Sequence, residues 1–288
     1  MIWPIPPRSR KSIARLEVNG VIGAATRKRV LEALKTIEER KFPALLLRID
    51  SPGGTVGDSQ EIYTALRHLQ DKVKIVASFG NISASGGVYI GMGANHIMAN
   101  PGTITGSIGV ILRGNNLERL LERVGVSFKV IKSGPYKDIL AFDRELTDAE
   151  KTILQDLIDI SYGQFVKTVA EARRLTEETV RSFADGRIFT GEQALALGVV
   201  DRLGSEEEAR RWAAELVGLD PDKAECITLG EKKGGLRRLI PGSSEGQVHR
   251  LHPALAAAGL SPETVSATLD WIAFEQATSG LPLWLYRP

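Results

Sequence analysis

Apolar and polar positions alternate along Ser12–Val18, with Ala14, Leu16 and Val18 on one side and Asn19-Gly20 closing the run, and this pattern predicts a strand. Thr26–Arg40 changes period: Val30, Leu31, Leu34 and Ile37 fall on one helical face. Ala44–Asp50 is a short apolar strand running into Ser51-Pro52-Gly53-Gly54. A helix over about Asp58–Gln70 and a buried strand at Val73–Phe79 come next. Further strands are expected at His96–Ala99, Gly109–Leu112 and Phe128–Lys132, with a helix near Asn116–Val124 between the last two. From Thr147 to Ala184 the pattern is mainly helical. Thr190-Gly191-Glu192-Gln193 reads as a capping box opening another helix that ends at Gly198. The strand Val199–Arg202 and the helix Ser205–Val217 complete an alternation that calls for parallel pairing and right-handed crossovers.

Pro4, Pro6 and Pro7 make residues 1–11 an extended tail. We take 12–220 as one α/β domain and 221–288 as a linker and appendage, with a short amphipathic helix expected at Pro262–Thr278. The 288 residues are 43% hydrophobic and 25% charged, as in ordinary soluble globular proteins. A formal charge of +2 gives no basic face for nucleic acid. Apolar runs such as Ala254–Ala258 are far short of the roughly 20 residues that a spanning helix needs. With no secretory signal pattern either, a cytoplasmic location is expected. Trp3 with Arg8, Arg10 and Lys11 could give a peripheral membrane contact, against a solvated tail as the alternative. One cysteine, Cys226, excludes an internal disulfide, and four scattered histidines offer no metal cluster.

Three small-residue clusters each follow a predicted strand. Gly53 and Gly54 allow a tight turn with unobstructed N–H groups, although a plain strand-to-helix turn has the same appearance. In Asn81-Ile82-Ser83-Ala84-Ser85-Gly86-Gly87, a serine at a sharp turn before a helix could be a nucleophile, with helix-end donors for an oxyanion, or merely a cap. A nucleophile needs a base. His68 looks solvent-exposed, His96 structural, and His249 and His252 lie in the appendage, leaving lysine and the carboxylates. Lys137 sits in Lys132-Ser133-Gly134-Pro135-Tyr136-Lys137-Asp138 amid apolar neighbours. A lysine serves as a base near neutral pH only if desolvation lowers its pKa from ~10.4 to about 7–8. Lys132 reads as a solvated charge.

Taken together, S-P-G-G at 51–54, S-A-S-G-G at 83–87, T-G-S-I-G-V at 105–110 and K-S-G-x-Y-K-D at 132–138 resemble the signal peptide peptidase A family of Ser-Lys proteases, over roughly residues 12–217. The resemblance implies a ClpP/crotonase-like α/β superhelix of strand-strand-helix units. It matches Ser85 to the nucleophile, Lys137 to the general base, Ser107 to a serine that orients the lysine amine, and the N–H groups of Gly54 and Gly86 to the oxyanion hole. Where ClpP-type proteases carry their histidine, this chain has Ala99 and Asn100, which favours lysine. The resemblance further implies a homo-oligomeric ring, an octamer in the best-known cases, in which the serine of one protomer meets the lysine of its neighbour. Implied substrates are cleaved signal peptides and other unfolded apolar peptides, with no cofactor or metal.

Leu281–Tyr286 itself looks like such a peptide and is expected either to dock in a neighbour's groove or to remain a solvated tail. Two other functions share the fold: a crotonase-like acyl-CoA hydratase or isomerase, and a non-catalytic assembly or membrane scaffold.

Overall fold

A computed structural model describes residues 9–230 and 283–285, all within one compact unit. In chain order the elements are β1 (Ser12–Asn19), α1 (Ala24–Glu39), β2 (Ala44–Ser51), β3 (Gly53–Thr55), α2 (Val56–Leu69), β4 (Lys74–Ala84), α3 (Gly86–Gly91), β5 (His96–Ala99) and β6 (Ile104–Gly106). They continue with α4 (Glu118–Arg123), α5 (Asp148–Arg173), α6 (Glu177–Arg181), β7 (Ile188–Thr190), α7 (Gly191–Ala196), β8 (Arg202–Leu203), α8 (Glu206–Leu216), β9 (Glu225–Leu229) and β10 (Leu283–Leu285).

The main sheet runs β7-β6-β4-β2-β1-β9, with β5 beside β4 and β8 beside β5, and every pair is parallel except β6 with β7. The apolar run of β2 follows from its central place, since both faces are covered. Leu45, Leu47 and Ile49 enter a large core with residues of α1, α2, α3 and α5, while Ala44 and Leu46 join Val76, Met98 and Trp212 of α8 on the other face. Phe165, Val166 and Val169 seat the C-terminal half of α5 in the large core. Three capping boxes are formed, Thr147 with Glu150, Thr190 with Gln193 and Ser205 with Glu208.

Two expected strands are absent, and a third, Val199–Arg202, is reduced to the two-residue β8 at Arg202–Leu203. Gly109–Leu112 and Phe128–Lys132 are not strands; residues 109–146 form an irregular arm with only α4 as regular structure. Ile111, Leu120, Val124, Phe128, Val130 and Ile131 are exposed there, so their apolar runs do not mark burial within this chain. Conversely β3, β6, β7 and β9 are strands whose sequences give little warning, three of them being only three residues long. The helix expected at 262–278 lies outside the described residues. Residues 283–285 pair antiparallel with β3 of the same chain, where the sequence suggested a neighbour's groove or a solvated tail.

Candidate active site

The long strand β4 changes partners midway: Val76–Phe79 pairs with β5, and Ile82–Ala84 pairs with β6. Asp50 manages the splay that this leaves against β2. Its carboxylate accepts from the N–H of Asn81 at 3.2 Å and of Ile82 at 3.1 Å, at the irregularity between Ile49 and Ser51. A Cβ on Gly80 would lie 2.3 Å from that carboxylate, so any larger residue there would have to displace the Asp50 side chain. Sequence reasoning did not single out Asp50. Its acidic side chain directly before S-P-G-G was the available signal.

Beyond this point three of the four motifs converge at the C-terminal ends of parallel strands, where ligands of open α/β sheets usually bind. Ser51 is in register with Ser83, and its hydroxyl accepts from Gly53 N–H at 3.1 Å. A Cβ on Gly87 would sit 3.0 Å from the Ser51 carbonyl oxygen, a measure of how closely the first two motifs pack. Ala84 pairs with Gly106, and Ser85 N–H donates to the Gly106 carbonyl at 2.8 Å, which fixes the third motif beside the second.

Ser85 is the residue before α3, at φ 52° and ψ −115°. For a residue with a Cβ, such a conformation costs on the order of 1–3 kcal/mol and persists only when its surroundings impose it. Here the Gly106 carbonyl accepts from the Ser85 N–H on one side, and Tyr89 N–H donates to the Ser85 carbonyl at 3.0 Å on the other. The side chain is the part left without a role: Ser85 is 1% exposed, and its Oγ has no hydrogen-bond partner among the described residues. Ser107 also has positive φ, 49°, with its N–H donating to the Arg187 carbonyl at 2.7 Å. Gly86 opens α3 and is buried.

Gly54 is held by its neighbours. Ile22 N–H donates to Gly53 O at 2.8 Å and Thr55 N–H to Ile22 O at 3.0 Å. Because successive residues of a strand point their N–H and C=O groups to opposite edges, those of Gly54 face away from Ile22. A Cβ there would lie 1.9 Å from Ile22 O.

The fourth motif is not brought in. Lys137 is exposed on the arm, in a turn closed by its N–H to Gly134 O at 3.3 Å. Lys132 is not a free solvated charge: its Nζ donates to Asp138 at 2.6 Å and to Pro135 O at 3.1 Å, drawing the ends of the motif together. Arg144 then ties this turn to α5. It donates to Asp138 Oδ1 at 2.9 Å and to both carboxylate oxygens of the buried Glu150, at 2.8 and 2.5 Å. The guanidinium pushes the Glu150 carboxyl down to about 2, and together with Lys132 it holds Asp138 well below the usual carboxylate range.

His96 is excluded as a partner of Ser85 by position. It pairs with Val76, nine residues up β4, about 30 Å at ~3.3 Å per residue. Its ring packs on Trp212 at 4.7 Å, and burial lowers its pKa.

The mostly parallel sheet, with Ser85 between strand and helix at the C-terminal ends of its strands, has the ClpP/crotonase-like α/β fold. A solved membrane-bound stomatin-specific protease has this fold, with TM-score 0.53 and 17% identity over 76% of this chain and 97% of that one. Residues 67–220 match peptidase family S49, and residues 13–103 match the Clp protease family. A Synechocystis sp. protein bearing the name of a protease, slr0021, is 66% identical over 287 residues, all of both chains. The Arabidopsis thaliana "Serine protease SPPA, chloroplastic" is 30% identical over 252 residues, which are 86% of this chain and 37% of that one. The chain belongs to peptidase family S49, the SppA family.

Proposed function

We propose that this peptidase is a serine endopeptidase with a Ser-Lys dyad completed between protomers, acting on cleaved signal peptides and other unfolded apolar segments. The carrying observation is the strained, buried Ser85, whose hydroxyl is unpartnered where three motifs meet. Ser85 Oγ attacks the scissile carbonyl, and the amine of Lys137 takes the hydroxyl proton. Gly54 and Gly86 N–H groups stabilise the oxyanion, a role in which one lost donor typically costs ~10²–10³ in rate. Lys137 then protonates the leaving amine, and water releases the acyl group. Ser107 orients the lysine amine.

Lys137 is on the arm, and within the described residues nothing accepts from or donates to Ser85 Oγ. The apolar side chains exposed on the arm suit contact with a second copy, as does a cleft lined by Leu112, Leu140, Leu154 and Ile158 between the arm and α5. Burying the arm would also dry the amine, which favours its neutral form. We therefore read the working enzyme as a homo-oligomeric ring, of eight copies by analogy with the family, in the cytoplasm and in at most peripheral contact with membrane. Among the described residues, no helix is long and apolar enough to cross one.

Subunit mixing tests this directly. Ser85→Ala and Lys137→Ala proteins are each expected to be inactive, and co-refolded mixtures are expected to regain part of the wild-type peptidase activity. Mixtures that stay inactive while forming mixed oligomers would rule out a dyad shared between protomers. Fluorophosphonate labelling of wild type but not of Ser85→Ala separates this reading from an acyl-CoA hydratase.

A further inference from the structure

Between two matched pairs, Ile49 with Phe79 and Ser51 with Ser83, β2 has one residue and β4 has three, so Asp50 alone stands opposite Gly80, Asn81 and Ile82. An excursion of this kind leaves ladder groups without their usual partners. Here side chains replace those partners from both sides. From β2, the Asp50 carboxylate accepts the N–H groups of Asn81 and Ile82, one on each oxygen. From the connection between β5 and β6, the buried Thr103 donates its hydroxyl to Gly80 O at 2.7 Å. Both anchors are themselves held. Asp50 Oδ2 lies 3.9 Å from Arg48 Nη2, and Arg48 Nη1 donates to Ser78 Oγ at 3.0 Å. Thr103 N–H closes a turn onto Asn100 O at 3.0 Å.

We propose that Asp50 and Thr103 are positioning residues for Ser85, clamping residues 80–82 so that the nucleophile is held at a fixed distance from the motifs on either side. The inference rests on the proposed assignment of Ser85 as nucleophile and gives neither side chain a contact with substrate. Its basis is where each anchor sits. Asp50 directly precedes S-P-G-G, which carries Gly54, and it grips β4 three residues before Ser85. Thr103 stands two residues before T-G-S-I-G-V, which carries Ser107, and it grips the same stretch of β4. The two side chains therefore tie the second motif to the first and to the third at the place where β4 leaves its partners. Ser85 keeps its positive φ only because its surroundings impose it. A shift of about 1 Å in such a site costs ~10²-fold in rate, even when the cause lies outside the chemistry.

Five variants test the clamp. Asp50→Asn keeps the size of the side chain but turns one acceptor into a donor that faces a backbone N–H. Thr103→Val keeps the shape and deletes the hydroxyl, whereas Thr103→Ser keeps the hydroxyl. Gly80→Ala presses on the Asp50 carboxylate from the β4 side. Ile37→Ala is the control for lost stability, since it empties a buried site on α1 and touches neither anchor. With a fluorogenic apolar peptide, kcat should fall ~10–10²-fold in Asp50→Asn, Thr103→Val and Gly80→Ala, with KM within about twofold of wild type. Thr103→Ser should restore most of the loss seen in Thr103→Val. Ile37→Ala should melt lower and keep its kcat while folded. Wild-type kcat in folded Asp50→Asn and Thr103→Val overturns the proposal. So does a Thr103→Ser protein as impaired as Thr103→Val, or an equal kcat loss in Ile37→Ala. If Asp50→Asn does not fold, the two Thr103 variants decide. If the wild type neither hydrolyses peptide nor labels at Ser85, the nucleophile assignment has failed instead. Amide exchange at Gly80–Ile82 then tests the clamp alone: faster exchange in Thr103→Val and Asp50→Asn supports it, and unchanged exchange refutes it.

Discussion

Gly54→Ala tests the proposed oxyanion role of β3 with one methyl group. The new Cβ would stand 1.9 Å from Ile22 O, 2.6 Å from Ile22 C and 2.7 Å from Ile22 Cα. All three are backbone atoms, so no side chain can swing aside. To restore an ordinary contact, β3 must move away from Ile22 by more than about 1 Å, which stretches both bonds between them, Ile22 N–H to Gly53 O and Thr55 N–H to Ile22 O. Overpacking of this kind costs about 1–3 kcal/mol in stability. A donor misplaced by about 1 Å costs ~10²-fold in rate, comparable to losing one oxyanion-hole donor. The expected variant therefore melts a few degrees low and loses ~10²-fold in kcat. Gly57→Ala is the control three residues away, because a Cβ there meets nothing within 4 Å. It should keep wild-type kcat and gain up to ~1 kcal/mol of helix propensity. The assays are peptide hydrolysis with kcat and KM separated, and thermal unfolding. Wild-type kcat in Gly54→Ala, with the melting point lowered as expected, would refute the assignment of this amide to the oxyanion.

Arg144→Ala should lower kcat and speed proteolytic nicking within residues 109–146, because the turn carrying Lys137 loses its tie to α5, while the sheet core remains folded; limited proteolysis beside steady-state kinetics reads both. Acid should loosen the same junction. Glu150 has a folded pKa near 2 against 4.5 ordinarily, because the Arg144 hydrogen bonds favour its charged form. Its contribution to stability is complete above the unfolded pKa and is lost as pH falls from about 4.5 through about 2. Glu150→Gln should flatten the urea midpoint in that window, and an unchanged pH profile would dismiss the linkage. Phe79→Ala, which empties a fully buried site against Gly91, should cost about 3–5 kcal/mol by chemical denaturation.

Some of this was legible residue by residue. The β1, β2 and α1 segments have patterns that match their burial, and Thr190 with Gln193 announced the start of α7 in four residues. The short strands were not legible: β6 is Ile-Thr-Gly and is a strand because the longer β4 offers it an edge, while β3 is Gly-Gly-Thr and is a strand by pairing with Ile22 and the equally short β10. The arm misled for the opposite reason. Its apolar residues mimic buried strands in Gly109–Leu112 and Phe128–Lys132, but in this chain Ile111, Phe128, Val130 and Ile131 face outward. Lys132 looked like an isolated surface charge because its partner, Asp138, becomes a neighbour only when the motif folds into a turn.

The alternation of strands and helices and the four small-residue motifs can be read from the chain alone, since both are written in local spacing and in residues whose conformational limits are intrinsic. Tertiary structure alone decided that three motifs meet around Ser85 while Lys137 stays out on the arm, and that residues 283–285 lie along Gly53–Thr55. Those relations depend on strand order and on which edge is left open. Such contacts join residues far apart in the chain, and no local pattern of hydrophobic and polar positions encodes them.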